Sequence, residues 1–309
     1  SWYFLRYLDA HNDAAPFDRA IADHWMPADQ YIGGVEHAIL HLMYARFFVK
    51  ALSDQELLEA REPFANLFTQ GMITRDGAKM SKSKGNVVSP ADYVERYGAD
   101  SARTYVCFMS PPDRGGDWVD EGVEGVHRFL ARLWRLAAEV EGLGGDAGTA
   151  SDGAWQREAS GDALVLLRKS HWAIDKATRD FERGFQFNTV IAAVMELVNE
   201  AYRVKDGLRG DATGERALRF ATETAASLIF PFAPHLGADV WERLVGGDVW
   251  EQPWPQADPE LLVADTVTLV VQVNGKLRDR IEAPAEASQE ELLALAHESE
   301  NVRAHVDGK

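Results

Sequence analysis

The chain has 309 residues, of which 46% are hydrophobic and 26% charged, and its formal net charge is −17. These globular proportions allow two or three domains with a sizeable core, and the acidity argues against a general nucleic-acid binder, so an RNA partner would have to meet local basic patches. A single cysteine, Cys107, excludes a disulfide framework or a thiolate-rich zinc site and fits a reducing cytoplasm, and no apolar run approaches the roughly 20 residues of a membrane span.

Residues 1–30 mix polar and aromatic segments around Pro16 and Pro27, and Trp2-Tyr3-Phe4-Leu5 reads as a short, incomplete opening with no secretion leader. Tyr31-Ile32 reads as the end of a strand. Gly33-Gly34 then turns into a helix predicted over 35–52, with Ile39, Leu42, Met43, Phe47 and Leu52 at roughly helical spacing. Residues 70–74 read as a strand leading into a polar loop that carries Lys79, Lys82 and Lys84. After it, Ser89-Pro90-Ala91-Asp92 has the chemistry of a helix start: a cap, a first-turn proline and an acid at the positive end. Gly98 is placed to close that helix in the left-handed conformation. Alternating strands and helices make 1–120 part of a parallel α/β domain.

From Glu121 the pattern turns helical, with helices predicted over 121–141, 162–183, 188–205, 214–230 and 235–245. Gly-rich residues 142–149 form a linker, Asn188 is a candidate cap, and Pro231 and Pro234 mark a break. This is an α-bundle. A Trp/Pro-rich connector spans 250–259. Then come strands at 267–273 and 276–282 about an Asn274-Gly275 turn, and an acidic helix at 288–298. One hairpin and one helix are too little to stand alone, so this last module reads as cut short. The fold class is α/β plus α.

Two stretches carry chemistry. Lys79-Met80-Ser81-Lys82-Ser83, between Gly77 and Gly85, is either a solvated basic loop or a phosphate clamp, since ammonium groups on flexible stems suit phosphates. In Gly33-Gly34-Val35-Glu36-His37-Ala38-Ile39-Leu40-His41 a strand–helix junction brings backbone N–H groups to a ligand, and His37 and His41 are four apart on one predicted face. A generic junction, a metal pair and a nucleotide or amino-acid pocket all compete there. No third ligand motif supports the metal, and the carboxyl end of a parallel strand is where open α/β sheets bind ligands. Basic residues are candidates for RNA. Arg128, Arg132 and Arg135 form a stripe on one helix, and Lys169, Lys176, Arg179 and Arg183 lie on the next. Lys276, Arg278 and Arg280 alternate on the return strand, on the side of Val271 and Val273. A solvated face or a structural hairpin is the plain alternative in each case.

The lysine pentamer resembles the KMSKS signature of class I aminoacyl-tRNA synthetases, which binds the triphosphate of ATP. The Gly33–His41 run, extended by Leu42-Met43-Tyr44-Ala45-Arg46-Phe47, resembles the corresponding segment of leucyl-tRNA synthetases. So do 97–103, 118–134, Phe187-Asn188-Thr189, Pro231-Phe232-Ala233-Pro234-His235 and 271–276, in the same order along nearly the whole chain. Isoleucyl and valyl enzymes come second.

The resemblance implies ATP-dependent activation of leucine to leucyl-adenylate, followed by transfer to the 2′-hydroxyl of tRNA(Leu). It implies a Rossmann-like catalytic domain over 1–120, an anticodon-binding-type bundle over 121–255 and a tRNA-contacting α/β module over 264–309. It assigns Lys82, assisted by Lys79, to the β/γ-phosphates, with Met80 anchoring the loop and Ser81 and Ser83 bonding phosphate or shaping it. Gly33, Gly34, Glu36, His37 and His41 would line the adenylate pocket. Mg2+ would arrive with the nucleotide, with no dedicated protein metal site. Class I enzymes also carry a His-x-Gly-His signature, and the nearest string here, Pro234-His235-Leu236-Gly237, lacks the second histidine. The editing insertion is missing too. The expectation is therefore a cytoplasmic, monomeric fragment, inactive without the N-terminal half of the enzyme. A tRNA-binding module without catalysis and a metal-dependent hydrolase built on His37 and His41 are the rival functions.

Overall fold

A computed structural model describes residues 3–143, 154–262, 266–273, 275–284 and 287–306. Two short helices, α1 (Tyr3–Leu8) and α2 (Arg19–Trp25), open the chain. Asp18 caps α2 by accepting from the Ile21 N–H at 3.0 Å. The loop between these helices is gathered by Arg6, whose guanidinium donates to the carbonyls of Asn12 (2.7 Å), Ala15 and Pro16 (both 3.1 Å). Leu5, Phe17, Ala22, Val49 and Leu58 form a small core beneath them.

Strand β1 (Ala28–Gly33) is followed by a 3-10 turn at Val35–Ala38, helix α3 (His41–Asp54) and strand β2 (Phe64–Thr69). β1 and β2 pair in parallel from Ala28↔Phe64 to Gly33↔Thr69. A parallel pair needs a crossover, and α3 supplies it. A second small sheet has the order β4-β3-β5. Its strands are β3 (Ile73–Arg75), β4 (Ala78–Lys79) and β5 (Gly116–Asp117), with α4 (Pro90–Tyr97) and α5 (Ala99–Phe108) between β4 and β5. Where β3 meets the segment before β5, the chains touch backbone to backbone. A Cβ on Gly71 would run into the main chain of Arg114 and Gly115, and one on Gly115 into that of Met72.

Helices α6 (Asp120–Glu141), α7 (Ala154–Arg157), α8 (Gly161–Glu182), α9 (Phe187–Leu208), α10 (Ala212–Ile229), α11 (Pro234–Leu244) and α12 (Pro259–Leu262) follow. On α6 the buried positions Val123, Val126, Leu130, Leu133, Ala137 and Val140 step by three and four, a stripe facing the other helices. The main core joins α6 and α8–α11 and takes in Tyr105 and Trp118 from upstream. Each large side chain fully buried there contributes about 1.5–3 kcal/mol. Asp100, in the first turn of α5, caps α11. It accepts from the Leu236 N–H at 2.8 Å and sits 2.8 Å from His235 Nδ1.

Of the ionisable groups buried in the bundle, which include Asp180, two have strongly shifted pKa values. His171 Nδ1 accepts the Asp258 N–H at 3.0 Å, so its proton is on Nε2, 2.7 Å from Gln156 Oε1. Burial pushes its pKa down to about 4. Glu223 Oε1 is buried without a hydrogen-bond partner, 3.9 Å from Arg219, and burial pushes this carboxyl up to about 7 against the pull of the guanidinium.

The chain closes with strands β6 (Thr266–Val273) and β7 (Lys276–Pro284) and helices α13 (Gln289–Glu298) and α14 (Glu300–Val306). Ser288 and Glu291 form a capping box on α13. Gly275 takes a φ of 73°, as a tight turn requires, while Asn274 lies outside the described residues. So does most of the expected linker at 142–149.

Several expectations need correction. The helix expected over 35–52 breaks at Ile39-Leu40, where Leu40 has a ψ of −92°, so His37 sits in the 3-10 turn and His41 starts α3. The two do not share a helix face. Gly98 has positive φ but a ψ of 157°, which is extended, because it both ends α4 and begins α5. Ser89 precedes α4 without a side-chain cap bond, and Asn188 lies inside α9 with its Oδ1 buried and unpaired rather than capping it. On the hairpin the register slips between Val271 and Gln272. Gln272 pairs with Leu277 and Val271 with Asp279, leaving Arg278 as the extra residue. A bulge reverses the alternation beyond it, so Arg280 faces away from Lys276.

Candidate nucleotide-binding loop

The lysine loop springs from a hairpin. Arg75 pairs with Ala78 across Asp76 and Gly77, which both have positive φ, 54° and 69°. Two left-handed residues in a two-residue loop match the twist of the flanking strands. The Asp117 carboxylate gathers this turn, accepting from Thr74 Oγ1 at 2.7 Å and the Gly77 N–H at 3.0 Å. The Thr74 bond, with help from the Gly77 and Asp76 N–H groups, holds Asp117 below the usual carboxylate range. Next to it, Asp120 accepts from Tyr93, from Trp118 Nε1 at 3.0 Å and from Arg75 at 3.3 Å.

Beyond β4 the loop is stitched across its base by Asn86. Its Oδ1 accepts the Ser81 N–H at 2.9 Å and its Nδ2 donates to the Lys79 carbonyl at 3.3 Å. Ser81 caps a 3-10 turn at Lys82–Lys84, its Oγ 3.2 Å from Ser83 Oγ, and Gly85 ends that turn at a φ of 67°. Met80 is half-buried and lines a cavity of about 530 Å³ with Ile73, Val88, Cys107 and Trp118. Lys79, Lys82 and Lys84 are exposed, and none has an acidic partner among the described residues. The loop is therefore fixed at its stem and base while its ammonium groups face solvent.

At the other stretch, the chain's own side chains fold over the glycines. A Cβ on Gly33 would press into the Tyr31 ring, and one on Gly34 into the Glu36 carboxylate. His41 stacks on Tyr31 with ring centres 5.5 Å apart, and its Nδ1 lies 3.2 Å from the Tyr31 hydroxyl. Burial is the main cause that lowers the His41 pKa. Among the described residues no group of three or more His, Cys, Asp or Glu side chains is placed to hold a metal ion. A cavity of about 340 Å³ is lined by Ile32, Phe68, Gly71, Ile73 and Phe185. Ile73 is thus a wall shared with the Met80 cavity, which links the end of β1 to the lysine loop.

The outer side of this region is apolar and open. Ile39 is 73% exposed, Val35 69% and Phe47 64%, and a hollow of about 510 Å³ lies among Ile39, Leu42, Met43, Phe64 and Leu67. Arg46 and Glu62 rim it, and Glu62 is bonded to both Arg46 and Lys50 at 2.7 Å.

Two family models match the chain: class I tRNA synthetases (I, L, M and V) over residues 13–118, and the anticodon-binding domain of tRNA ligase over 164–293. A leucine–tRNA ligase of Nitratidesulfovibrio vulgaris is 50% identical over 313 residues, covering all of this chain and 37% of the relative. Along its whole length the chain is homologous to part of this leucine–tRNA ligase. Another relative, the leucine–tRNA ligase of Thermotoga maritima, is 45% identical and is also covered over 37% of its length, so the chain spans little more than a third of these relatives. A solved ternary complex, LeuRS–tRNA–LeuAMS from Agrobacterium radiobacter K84, superposes with a TM-score of 0.73 at 33% identity, over 99% of this chain and 39% of that one. A Mycobacterium tuberculosis methionyl-tRNA synthetase bound by methionyl-adenylate matches 73% of this chain and 46% of its own at a TM-score of 0.55. Its 19% identity speaks for the fold alone.

In this chain the candidate RNA residues are not equivalent. Arg128 and Arg135 are exposed, with no acidic partner among the described residues. Arg132 instead lies over the Tyr202 ring at 4.6 Å and donates to Asn199 at 2.7 Å. Lys169 is bonded to Glu196, Lys176 to Asp180 and Arg179 to Asp175, whereas Arg183, at the end of α8, is exposed. Lys276 and Arg280 are exposed, and Arg278 Nε is buried without a partner. Sequence reasoning missed Tyr31, Asn86, Asp117 and Asp120. The Asp76-Gly77 pair was a usable hairpin signal, but nothing local points to Asp117.

Proposed function

We propose that this chain supplies the lysine-loop half of a leucine–tRNA ligase active site together with surfaces for tRNA. Residues 1–120 would be part of a Rossmann-like catalytic domain, of which β1, α3 and β2 are one parallel unit. Residues 121–255 would be the anticodon-binding-type bundle and 264–309 a tRNA-contacting module. The observation that carries this reading is the loop itself. Three ammonium groups without acidic partners stand on a backbone pinned at its stem by Asp117 and across its base by Asn86.

In the reaction a leucine carboxylate oxygen attacks the α-phosphorus of ATP. The bond to the bridging oxygen breaks, and pyrophosphate leaves with the electron pair. Charge grows on that leaving group, so fixed cations lower the barrier. Lys82, aided by Lys79, would meet the β- and γ-phosphates, while Ser81 and Ser83 hold the turn. Gly33, Gly34, Glu36, His37 and His41 would border the adenylate. The leucyl group then passes to the 2′-hydroxyl of the terminal tRNA(Leu) adenosine. Mg2+ would arrive with the nucleotide and would help offset the charge of its phosphates. The open face of α3 and the β1–β2 pair suits the N-terminal part of the catalytic domain, which the longer relatives have room to supply. Among the described residues no helix is long and apolar enough to cross a membrane, and the reading is of a cytoplasmic monomer.

The test is leucine-dependent pyrophosphate exchange by the full-length enzyme, or by this chain mixed with the N-terminal part. Lys82→Ala is expected to lower the rate roughly 100-fold, in line with the loss of one preorganised electrostatic group. An unchanged rate overturns the phosphate assignment, and tRNA binding without exchange would favour a non-catalytic module.

A further inference from the structure

We propose that Asp117 is a positioning residue for adenylate formation: it sets the geometry of the lysine loop from outside the motif. The inference rests on the phosphate-binding reading of that loop. Lys79 is only two residues beyond the Asp76-Gly77 turn, and β4 is just Ala78–Lys79. The direction in which Lys79 leaves the sheet is therefore decided at the turn. Asp76 holds a φ of 54° there, a conformation unfavourable for a residue with a Cβ unless its surroundings select it.

Asp117 does the selecting. One carboxylate oxygen takes the Thr74 hydroxyl on one strand and the Gly77 N–H at the far side of the turn. An ionised acceptor makes both bonds stronger than a neutral one would. Asp117 is itself fixed from behind. Thr74 and Asp117 are register partners, and the Trp118 N–H donates to the Thr74 carbonyl at 2.8 Å. Three residues on, Asp120 opens α6 and holds Arg75 of the same hairpin. The start of the bundle and the stem of the loop thus form one hydrogen-bonded unit. Without the carboxylate the turn is free to relax, and displacement of a phosphate-binding group by about 1 Å is enough to slow a reaction that depends on positioning.

The experiment measures KM for ATP, KM for leucine and the thermal midpoint in the full-length enzyme. Asp117→Ala is expected to raise KM for ATP about fivefold to tenfold, the size expected for losing charge-assisted hydrogen bonds. KM for leucine stays as it is, and the midpoint falls by no more than a few degrees. Asp117→Asn, which keeps an acceptor oxygen, restores most of the affinity. Thr74→Val, which removes one donor at nearly constant shape, gives about a twofold change in the same direction and serves if the alanine variant does not fold. An unchanged KM for ATP in both Asp117→Ala and Thr74→Val, or an equal fall in every readout with a midpoint lowered by more than those few degrees, overturns the proposal. Loss of ATP affinity in Lys82→Ala alone sinks this inference and spares the functional reading. Insensitivity of both Lys82→Ala and Asp117→Ala sinks both.

Discussion

Helices α6 and α8–α11 turn their apolar stripes onto one another, while α3 and the β1–β2 pair leave theirs open. Leu133, Leu136, Leu166 and Leu197 are fully buried, yet Ile39, just before α3, and Phe47 on it are mostly exposed. A helix follows its hydrophobic period wherever it lies, so the period alone does not say whether a partner is present. The bundle satisfies its own burial. The strand–helix segment presents a surface shaped for something else to cover, since apolar patches of this kind mark interaction sites.

That contrast can be broken most directly by truncation. Leu133→Ala should cost about 4 kcal/mol in urea unfolding of this chain, by lost transfer energy and a residual cavity. Phe47→Ala should cost under about 0.5 kcal/mol, as surface changes do. Equal losses would mean that the α3 face is already covered, and the contrast would fail.

A second experiment probes the bundle interior through pH. His171 has a folded pKa of about 4 against an ordinary 6.5, so protonation favours unfolding. Its contribution is complete above pH 6.5 and is lost as pH falls through 4, about 3 kcal/mol in all. Glu223 has a folded pKa of about 7 against 4.5, so its contribution is complete below pH 4.5 and is lost as pH rises through 7. The two slopes oppose each other between pH 4.5 and 6.5. Wild-type stability should vary little there from these groups, whereas Glu223→Gln should lose about 3 kcal/mol on acidification from pH 7 to 4. A Glu223→Gln profile as flat as wild type would show that His171 is not held neutral.

The smallest effect concerns RNA. Arg128→Ala and Arg135→Ala should each reduce the salt dependence of tRNA binding by about one power of salt concentration. Arg132→Ala should lower the unfolding midpoint, through its contacts with Tyr202 and Asn199, rather than change the salt slope. An identical salt response from all three would restore a single basic stripe.

The five main bundle helices could be read from sequence within a few residues, because each buries a stripe against its neighbours and the period survives in the residues. β2 was not readable. Phe-Ala-Asn-Leu-Phe-Thr has no clean alternation, and its partner β1 lies more than thirty residues away. The lysine loop stood out as a string, but the groups that hold it did not. Asp117 is forty residues from Gly77, and nothing near it in the chain hints at the contact. The break at Ile39-Leu40 and the bulge at Arg278 were hidden for a related reason: both are backbone choices that interrupt an otherwise regular residue pattern.

The crossing of Gly71 and Gly115 limits how this chain can be redesigned. Most steric conflicts inside a protein can be relieved by trimming the neighbouring side chain, but here each obstruction is main chain, which no second substitution can shorten. In a saturation library both positions should reject every replacement, alanine included, and no suppressor should arise by exchanging the opposing residue. Rescue would demand a change of loop length.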